Sequence, residues 1–191
     1  MTGATHQPQE FHYRLPATFG GQRPGAHRGS SLGAGQIFAA HRRLLDHPDP
    51  RRLDLRASVR DVRREWLVRI QQQRVSAPVH AVVDVSASMH FGARRSKLDV
   101  VADFIEALGH SAFRTGDPLG LLAFDHGLRE DLYAPARHSR GAGIAMAEAL
   151  RRCEAESAYQ HDRAHEQTVE ALRQTIASLS GRRGLVFLVS D

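Results

Sequence analysis

In "VVDVSASM", residues 82–89, three small oxygen-bearing side chains stand at every second position: Asp84, Ser86 and Ser88. Carboxylate and hydroxyl oxygens are hard donors. A set of them with no nitrogen or sulfur partner suits a hard divalent cation, magnesium first and manganese or calcium behind it. Magnesium takes about six oxygens and gives up its waters reluctantly, so two hydroxyls and water-bridged carboxylates leave one position open to an acidic group from outside. The competing reading is local, since a lone serine caps a helix or closes a turn. What separates the two is the element in front of the motif and the acids that other elements bring to it.

"PVHAVVDV", 78–85, is a β-branched apolar run of the kind buried on both faces of a parallel sheet, entered through a proline that donates no ladder hydrogen bond. Ser96 and Asp99 form a capping-box pattern for a helix over 97–114, with Leu98, Val101, Ala102, Ile105 and Leu108 as its apolar stripe. "RTGDPLGLLAFD" then predicts a turn and a second apolar strand ending at Asp125. A short strand near Leu132-Tyr133, helices over about 142–155 and 163–179, and a third apolar strand in "GRRGLVFLVSD" ending at Asp191 complete the series. This alternation predicts an α/β fold: an open, mainly parallel sheet with helices on both faces and right-handed crossovers. Ligands of such sheets gather outside the carboxyl ends of the strands, at a topological switch point. Asp84, Asp125 and Asp191 all fall there, although Asp125 equally starts a turn into His126-Gly127.

Residues 1–9 read as a disordered tail, and 10–75 as a separate N-terminal segment of loop, helix and strand, leaving 76–191 for the α/β domain. The stretch 19–36 carries six glycines and reads as loop. Its Gly33-Ala34-Gly35 resembles part of a dinucleotide fingerprint but lacks the preceding strand and the third glycine. Spacing of Ile37, Ala40, Leu44 and Leu45 predicts a helix over 36–46, stopped by His47-Pro48 and Asp49-Pro50. Trp66, Val68 and Ile70 alternate in "EWLVRIQQQ", predicting a strand at a sheet edge.

A chain of 191 residues with 41% apolar content supports one core with an appended segment. The single cysteine, Cys153, forms no internal disulfide, and no signal peptide or long apolar run is present, so a cytoplasmic protein is expected. Net charge is +5, nearly all of it from arginine, Lys97 being the one lysine. Arginine pairs alternate with acids, which predicts a solvated mixed-charge surface and neither a nucleic-acid nor a membrane partner. His161 and His165 are four apart but have no third ligand or catalytic glutamate, so they read as surface histidines. Ser96 and Lys97 read as a cap and a helix start, with no His or Asp placed to make a triad. Gly141 and Gly143 read as a helix opening, and Cys153 carries no signal of reactivity.

Asp84-Val85-Ser86-Ala87-Ser88 followed by Met89 resembles the metal-ion-dependent adhesion site of von Willebrand factor A domains. The resemblance implies that Ser86 and Ser88 bind metal directly, that Asp84 acts mainly through water or hydrogen bonds, and that Asp191 of "LVSD" completes the site. Such domains also supply a threonine from a middle loop, and among residues 134–143 Ser139 is the one hydroxyl. "GAHRGSSLGAGQIF", "DPRRLDLRASVRDVRREWLVRIQQQR" and "SKLDVVADFIEALGHSAFRTGDPLGLLAFD" together are similar to the bacterial von Willebrand A-like family of domain-of-unknown-function number 58. Leu55 and Gln71 depart from it, standing where aromatic and acidic residues are expected. The resemblance implies a neighbouring MoxR-type AAA+ ATPase as partner. It is closest in character to MxaS-type accessory proteins of methanol dehydrogenase maturation, and it implies a chain truncated after the third strand. The function expected is a non-catalytic, magnesium-dependent adaptor that docks an acidic group of a protein partner. The alternatives are an aspartate-dependent phosphoester hydrolase, for which Ser86 stands where the proton-donating acid belongs, and a nonspecific nucleic-acid binder.

Overall fold

A computed structural model of the chain describes residues 10–15, 18, 20–21, 23–33, 35–153, 164–179 and 184–191. The expected tail, 1–9, lies outside them. Contacts divide the chain into two units, Leu15–Ser76 and Ala77–Asp191 together with Met1–Arg14.

The first unit is an antiparallel sheet of β1 (His27–Gly33), β2 (Ile37–Arg43) and β3 (Leu67–Val75) in the order β1-β3-β2, with one short helix, α1 (Leu55–Arg60). Three expectations are corrected here. The glycine-rich stretch contains a strand, because β1 pairs with β3 from His27↔Val75 to Gly33↔Gln71. Its glycines permit a close approach: a Cβ on Gly35 would fall 1.9 Å from the Gln72 carbonyl. The segment 36–46 is a strand and turn, not a helix. A bulge between Phe38 and Ala40 advances β2 by one residue, so Ile37 and Ala40 are both half-buried and imitate a helical spacing. As a result β3 is the central strand, not an edge, and buries Val68 and Ile70, while Trp66 stands outside it, 57% exposed.

Asp54 ties this unit together. It caps α1 by accepting the Ala57 N–H at 3.1 Å, takes the Arg69 Nε–H at 2.6 Å, and lies 3.1 Å from His41 Nε2. The Arg69 hydrogen bond first, then those from Ala57 and His41, holds its carboxyl well below the usual carboxylate range. A depressed native pKa stabilises the fold above the unfolded value near 4, and that stability is lost as pH falls through the native value. The melting difference between wild type and Asp54→Asn is therefore expected to be largest above about pH 5 and to shrink steadily on acidification. A difference independent of pH removes Asp54 from the acid response.

In the second unit, β4 (Val79–Asp84) lies between β5 (Leu119–Phe124) and β7 (Leu185–Val189), parallel to both, and β6 (Ala134–Arg137) runs antiparallel along β5. The order is β6-β5-β4-β7. β5 is apolar and buried along its whole length, and β4 is buried everywhere except at the half-buried His80, because both faces are covered. Helices α2 (Lys97–Thr115) and α3 (Ala142–Arg152) bury Val79, Ala81, Val83, Leu119 and Leu121 on one face. Helix α4 (Ala164–Ser178) packs Ala171 against Val82, Leu122 and Phe124 on the other. This is the α/β architecture expected, and it is compatible with a Rossmann-like arrangement of the von Willebrand A type. α2 starts at the Ser96–Asp99 capping box and stops at Gly116, whose φ of 81° favours glycine. The strand expected near Leu132-Tyr133 is displaced by a 3-10 turn at Glu130–Leu132 and starts at Ala134.

Residues 10–14 belong with this unit and not with the N-terminal segment. Phe11 stacks on Phe104 at 5.6 Å, and Tyr13 meets Phe187 of β7 edge-on at 6.3 Å. Tyr13 Oη donates to Asp117 Oδ2 at 2.6 Å, and Asp117 also accepts the Ala77 N–H at 2.9 Å. Burial, then the Asp117 hydrogen bond, raises the Tyr13 phenol above its usual range.

Candidate cation site at the strand ends

β4 is the switch point of its sheet. The connection to β5 passes through α2 on one face, and the chain returns to β7 through α4 on the other. The crevice this opens at the carboxyl end of β4 receives Asp84, the loop after it and the residues after β7. Apolar anchoring shapes the loop. A 3-10 turn at Ala87–His90 drops Met89 into the core, 2% exposed, and holds Ser86 and Ser88 above it.

Asp84 is buried and uses both oxygens to organise its neighbours. Oδ1 accepts the Ser86 N–H at 2.9 Å, and Oδ2 accepts the Ser190 hydroxyl at 2.7 Å. It thus ties the loop after β4 to the residues after β7. Ser86 Oγ and Ser88 Oγ are 3.2 Å apart, and Ser88 Oγ donates to Asp191 Oδ1 at 2.9 Å. Since Ser88 has one hydroxyl proton and gives it to Asp191, Ser86 is the donor in the serine pair. Lone pairs on both hydroxyl oxygens remain unused. Lys97, the first residue of α2, donates to Asp191 Oδ2 at 2.6 Å. The Lys97 hydrogen bond, then that from Ser88, lowers the Asp191 carboxyl below its usual range.

Four expected residues, Asp84, Ser86, Ser88 and Asp191, are thus brought into one hydrogen-bonded group. The structure does not bring Ser139 to it. Because β6 runs antiparallel to β5, with Leu119↔Arg137 and Leu121↔Ala134, the loop after β6 emerges at the amino end of β5. Next to Ser139, His138 stacks on Phe113 near the carboxyl end of α2, whereas Lys97 opens that 19-residue helix. At about 1.5 Å per residue the two ends lie roughly 27 Å apart. Asp125 is claimed by its own turn: Oδ1 accepts the Gly127 N–H at 3.2 Å and Oδ2 pairs with Arg129 at 3.1 Å. Arg129 also grips Asp131 with two hydrogen bonds of 2.9 Å, which raise its pKa further.

Two participants, Ser190 and Lys97, have no sequence signal that places them in the site. Ser190 carries no periodicity signal beyond its place in "LVSD". Lys97 carries only the signal of a helix start, and a start is also where α2 points back at the site. His161 and the side chain of His165 lie outside the described residues. Gly143 serves packing inside α3, and Cys153 ends that helix half-buried, with burial pushing its thiol up.

Among the described residues no three of His, Cys, Asp and Glu cluster as a metal site. The donor set is instead two hydroxyls and two carboxylates, which fits a hard cation by chemistry. Ser86, Ser88 and Asp191 are the residues that would hold it, and such a cation would supply an open coordination position to an outside acid. Lys97 opposes it, because its ammonium occupies one oxygen of Asp191 and repels a second positive charge. Its side chain is 48% exposed and can swing into solvent. At separations of about 5 Å and an effective dielectric between 20 and 80, this repulsion is worth roughly 2–7 kcal/mol, reduced to about 1–2 by that movement. Lys97→Met is therefore expected to tighten manganese binding about tenfold, measured by titration with electron paramagnetic resonance. Unchanged binding means that Lys97 does not oppose the cation, and weaker binding that it assists it.

Fold and site together define an α/β domain with a hydroxyl-and-carboxylate crevice at its switch point. The chain belongs to the family described as protein of unknown function DUF58, which it matches over residues 46–191. No curated protein matches it. Among solved structures, an uncharacterized membrane spanning protein from Vibrio fischeri is 23% identical with a TM-score of 0.34, over 55% of this chain and 53% of that one. The match thus spans about half of that protein's length. Among the described residues no helix is long and apolar enough to cross a membrane.

Proposed function

We propose that this protein is a non-catalytic, metal-dependent binding module of the von Willebrand A type, which docks an acidic group of a protein partner on a magnesium ion. The observation that carries the reading is the relay Ser86–Ser88–Asp191, in which a hydroxyl from the loop after β4 holds a carboxylate 103 positions away in the chain. Two hydroxyls and few acids leave a bound cation short of negative charge, and a partner's carboxylate makes up the deficit. The family resemblance supplies the partner class, a MoxR-type AAA+ ATPase. It also supplies the setting, maturation or metal insertion of another enzyme such as methanol dehydrogenase, in the cytoplasm.

The phosphatase alternative draws less support. Asp84 would be the nucleophile, yet it is 3% exposed and both its oxygens accept hydrogen bonds that hold the loops. The deciding experiment is association of the full chain with a MoxR-type ATPase, with magnesium and with chelator, for wild type and Ser86→Ala. Binding is expected only for wild type with magnesium. Equal binding in all four samples removes the metal from the function.

A further inference from the structure

We propose that the Leu15–Ser76 unit docks on the surface of an anionic lipid bilayer, through a rigid, protruding tip in which exposed aliphatic residues and Trp66 are surrounded by unpaired arginines. This goes beyond the binding-module reading and is independent of the cation site.

The tip is formed by α1, the turn after it and the turn after β2. Val62 is 97% exposed, Leu45 92% and Val59 84%. Their segments meet at Trp66. The Trp66 carbonyl accepts the Leu44 N–H at 2.7 Å, and Val59, Arg64 and Trp66 line one shallow depression. Asp61 holds the turn by accepting the N–H groups of Arg63 and Glu65 through one oxygen, both at 3.1 Å. Val62 is thereby fixed outward at no further ordering cost on binding.

Charge around the tip is one-sided, although the sequence of the segment is mixed. Most of its acids are matched internally: Asp54 by Arg69 and His41, Glu65 by Arg43 at 3.1 Å, Asp46 more loosely by the same Arg43 at 3.8 Å, and Asp49 by Arg52 at 3.1 Å, while Asp61 keeps its charge and holds backbone N–H groups. Arg51, Arg56, Arg60, Arg63 and Arg64 are exposed and form no ion pair among the described residues. Within the mixed-charge surface expected from the sequence, exposed cations therefore outnumber exposed acids here.

Cations in this number fit an anionic partner, and the aliphatic residues between them decide its kind. Phosphates of a nucleic acid offer nothing to Val62 or Leu45. A rigid protein would need sockets matched to three residues that protrude almost fully. A fluid bilayer admits such residues into its interface, takes a tryptophan at headgroup level, and is attracted by arginines at its surface.

Trp66 is the only tryptophan of the chain, so its emission reports the contact directly. Adding the full chain to vesicles of phosphatidylcholine with phosphatidylglycerol is expected to shift that emission to the blue. Acyl chains brominated near the headgroup are expected to quench it, and phosphatidylcholine alone to do neither. Val62→Asp, at a position too exposed to disturb folding, is expected to lower partitioning about tenfold. Arg60→Glu with Arg63→Glu is expected to lower it more than twentyfold, each arginine being worth roughly a factor of five. No emission shift with anionic vesicles overturns the proposal, as does equal binding to neutral ones or vesicle binding that survives Val62→Asp. Tighter binding to a nucleic-acid duplex than to vesicles overturns it in favour of the phosphate backbone.

Discussion

Ser88→Ala is expected to weaken manganese or magnesium binding by about one to two orders of magnitude while leaving the melting temperature nearly unchanged. Ser88 is the hub of the site, since it accepts from Ser86 and donates to Asp191. Its removal deletes one oxygen donor and also frees Asp191, which then answers to Lys97 alone. The fold does not depend on it, because the loop is anchored by Met89 in the core and by the Ser86 N–H on Asp84. A partly exposed hydroxyl of this kind contributes on the order of 1 kcal/mol or less to stability. Ser190→Ala should have a smaller effect on the cation, for it removes the tie between Asp84 and the residues after β7 without removing a donor from the relay. Titration by electron paramagnetic resonance, with a melt recorded on the same sample, separates the two roles. Equal manganese affinity in wild type and Ser88→Ala ends the cation reading, and with it the adaptor chemistry.

Gly109→Ala is expected to destabilise the second unit strongly, because the added methyl meets backbone where two helices cross. Gly109 of α2 faces Gly143 of α3, and a Cβ on Gly109 would lie 2.4 Å from the Gly143 Cα and 2.7 Å from its nitrogen. Both obstacles are backbone, so no side chain can move aside and the helices must separate. Alanine in place of glycine inside a helix is worth about 1 kcal/mol in favour of folding. Overpacking typically costs 1–3 kcal/mol and more where backbone must shift, so the loss exceeds the gain. We expect a net destabilisation of roughly 2–4 kcal/mol in denaturant unfolding, and a similar result for Gly143→Ala, whose Cβ would meet the Gly109 Cα at 2.8 Å. The double substitution should be less than additive, since separating the helices once relieves both contacts. A Gly109→Ala protein as stable as wild type would mean that the helices do not cross at this pair.

Legibility followed the range of the interactions involved. The capping box at Ser96–Asp99 and the apolar runs of β4 and β5 were plain in the sequence, because each expresses a local rule or burial on both faces. The segment 36–46 misled for an equally local reason. A single bulge in β2 turns a period of two into an apparent helical spacing, and nothing near Phe38 announces it. The edge assignment of β3 failed because strand order depends on β1, whose glycines concealed it. In the site, Asp84, Ser86 and Ser88 could be read from their spacing, and Asp191 from its place at a strand end. Ser139 is the one hydroxyl in its stretch, but the antiparallel direction of β6 carries it to the wrong end of the sheet.

The sequence by itself determined the donors, the strand that presents them and the helix that starts beside them, since these follow from residue type and from contacts a few positions apart. Only the tertiary structure decided that Ser190 braces Asp84, that Lys97 sits on Asp191, and that Glu65 and Asp54 pair with Arg43 and Arg69 and leave other arginines near Trp66 bare. Those outcomes depend on which distant residues the sheets bring within hydrogen-bond range. Charge pairing and strand direction have no period along the chain from which they could be read.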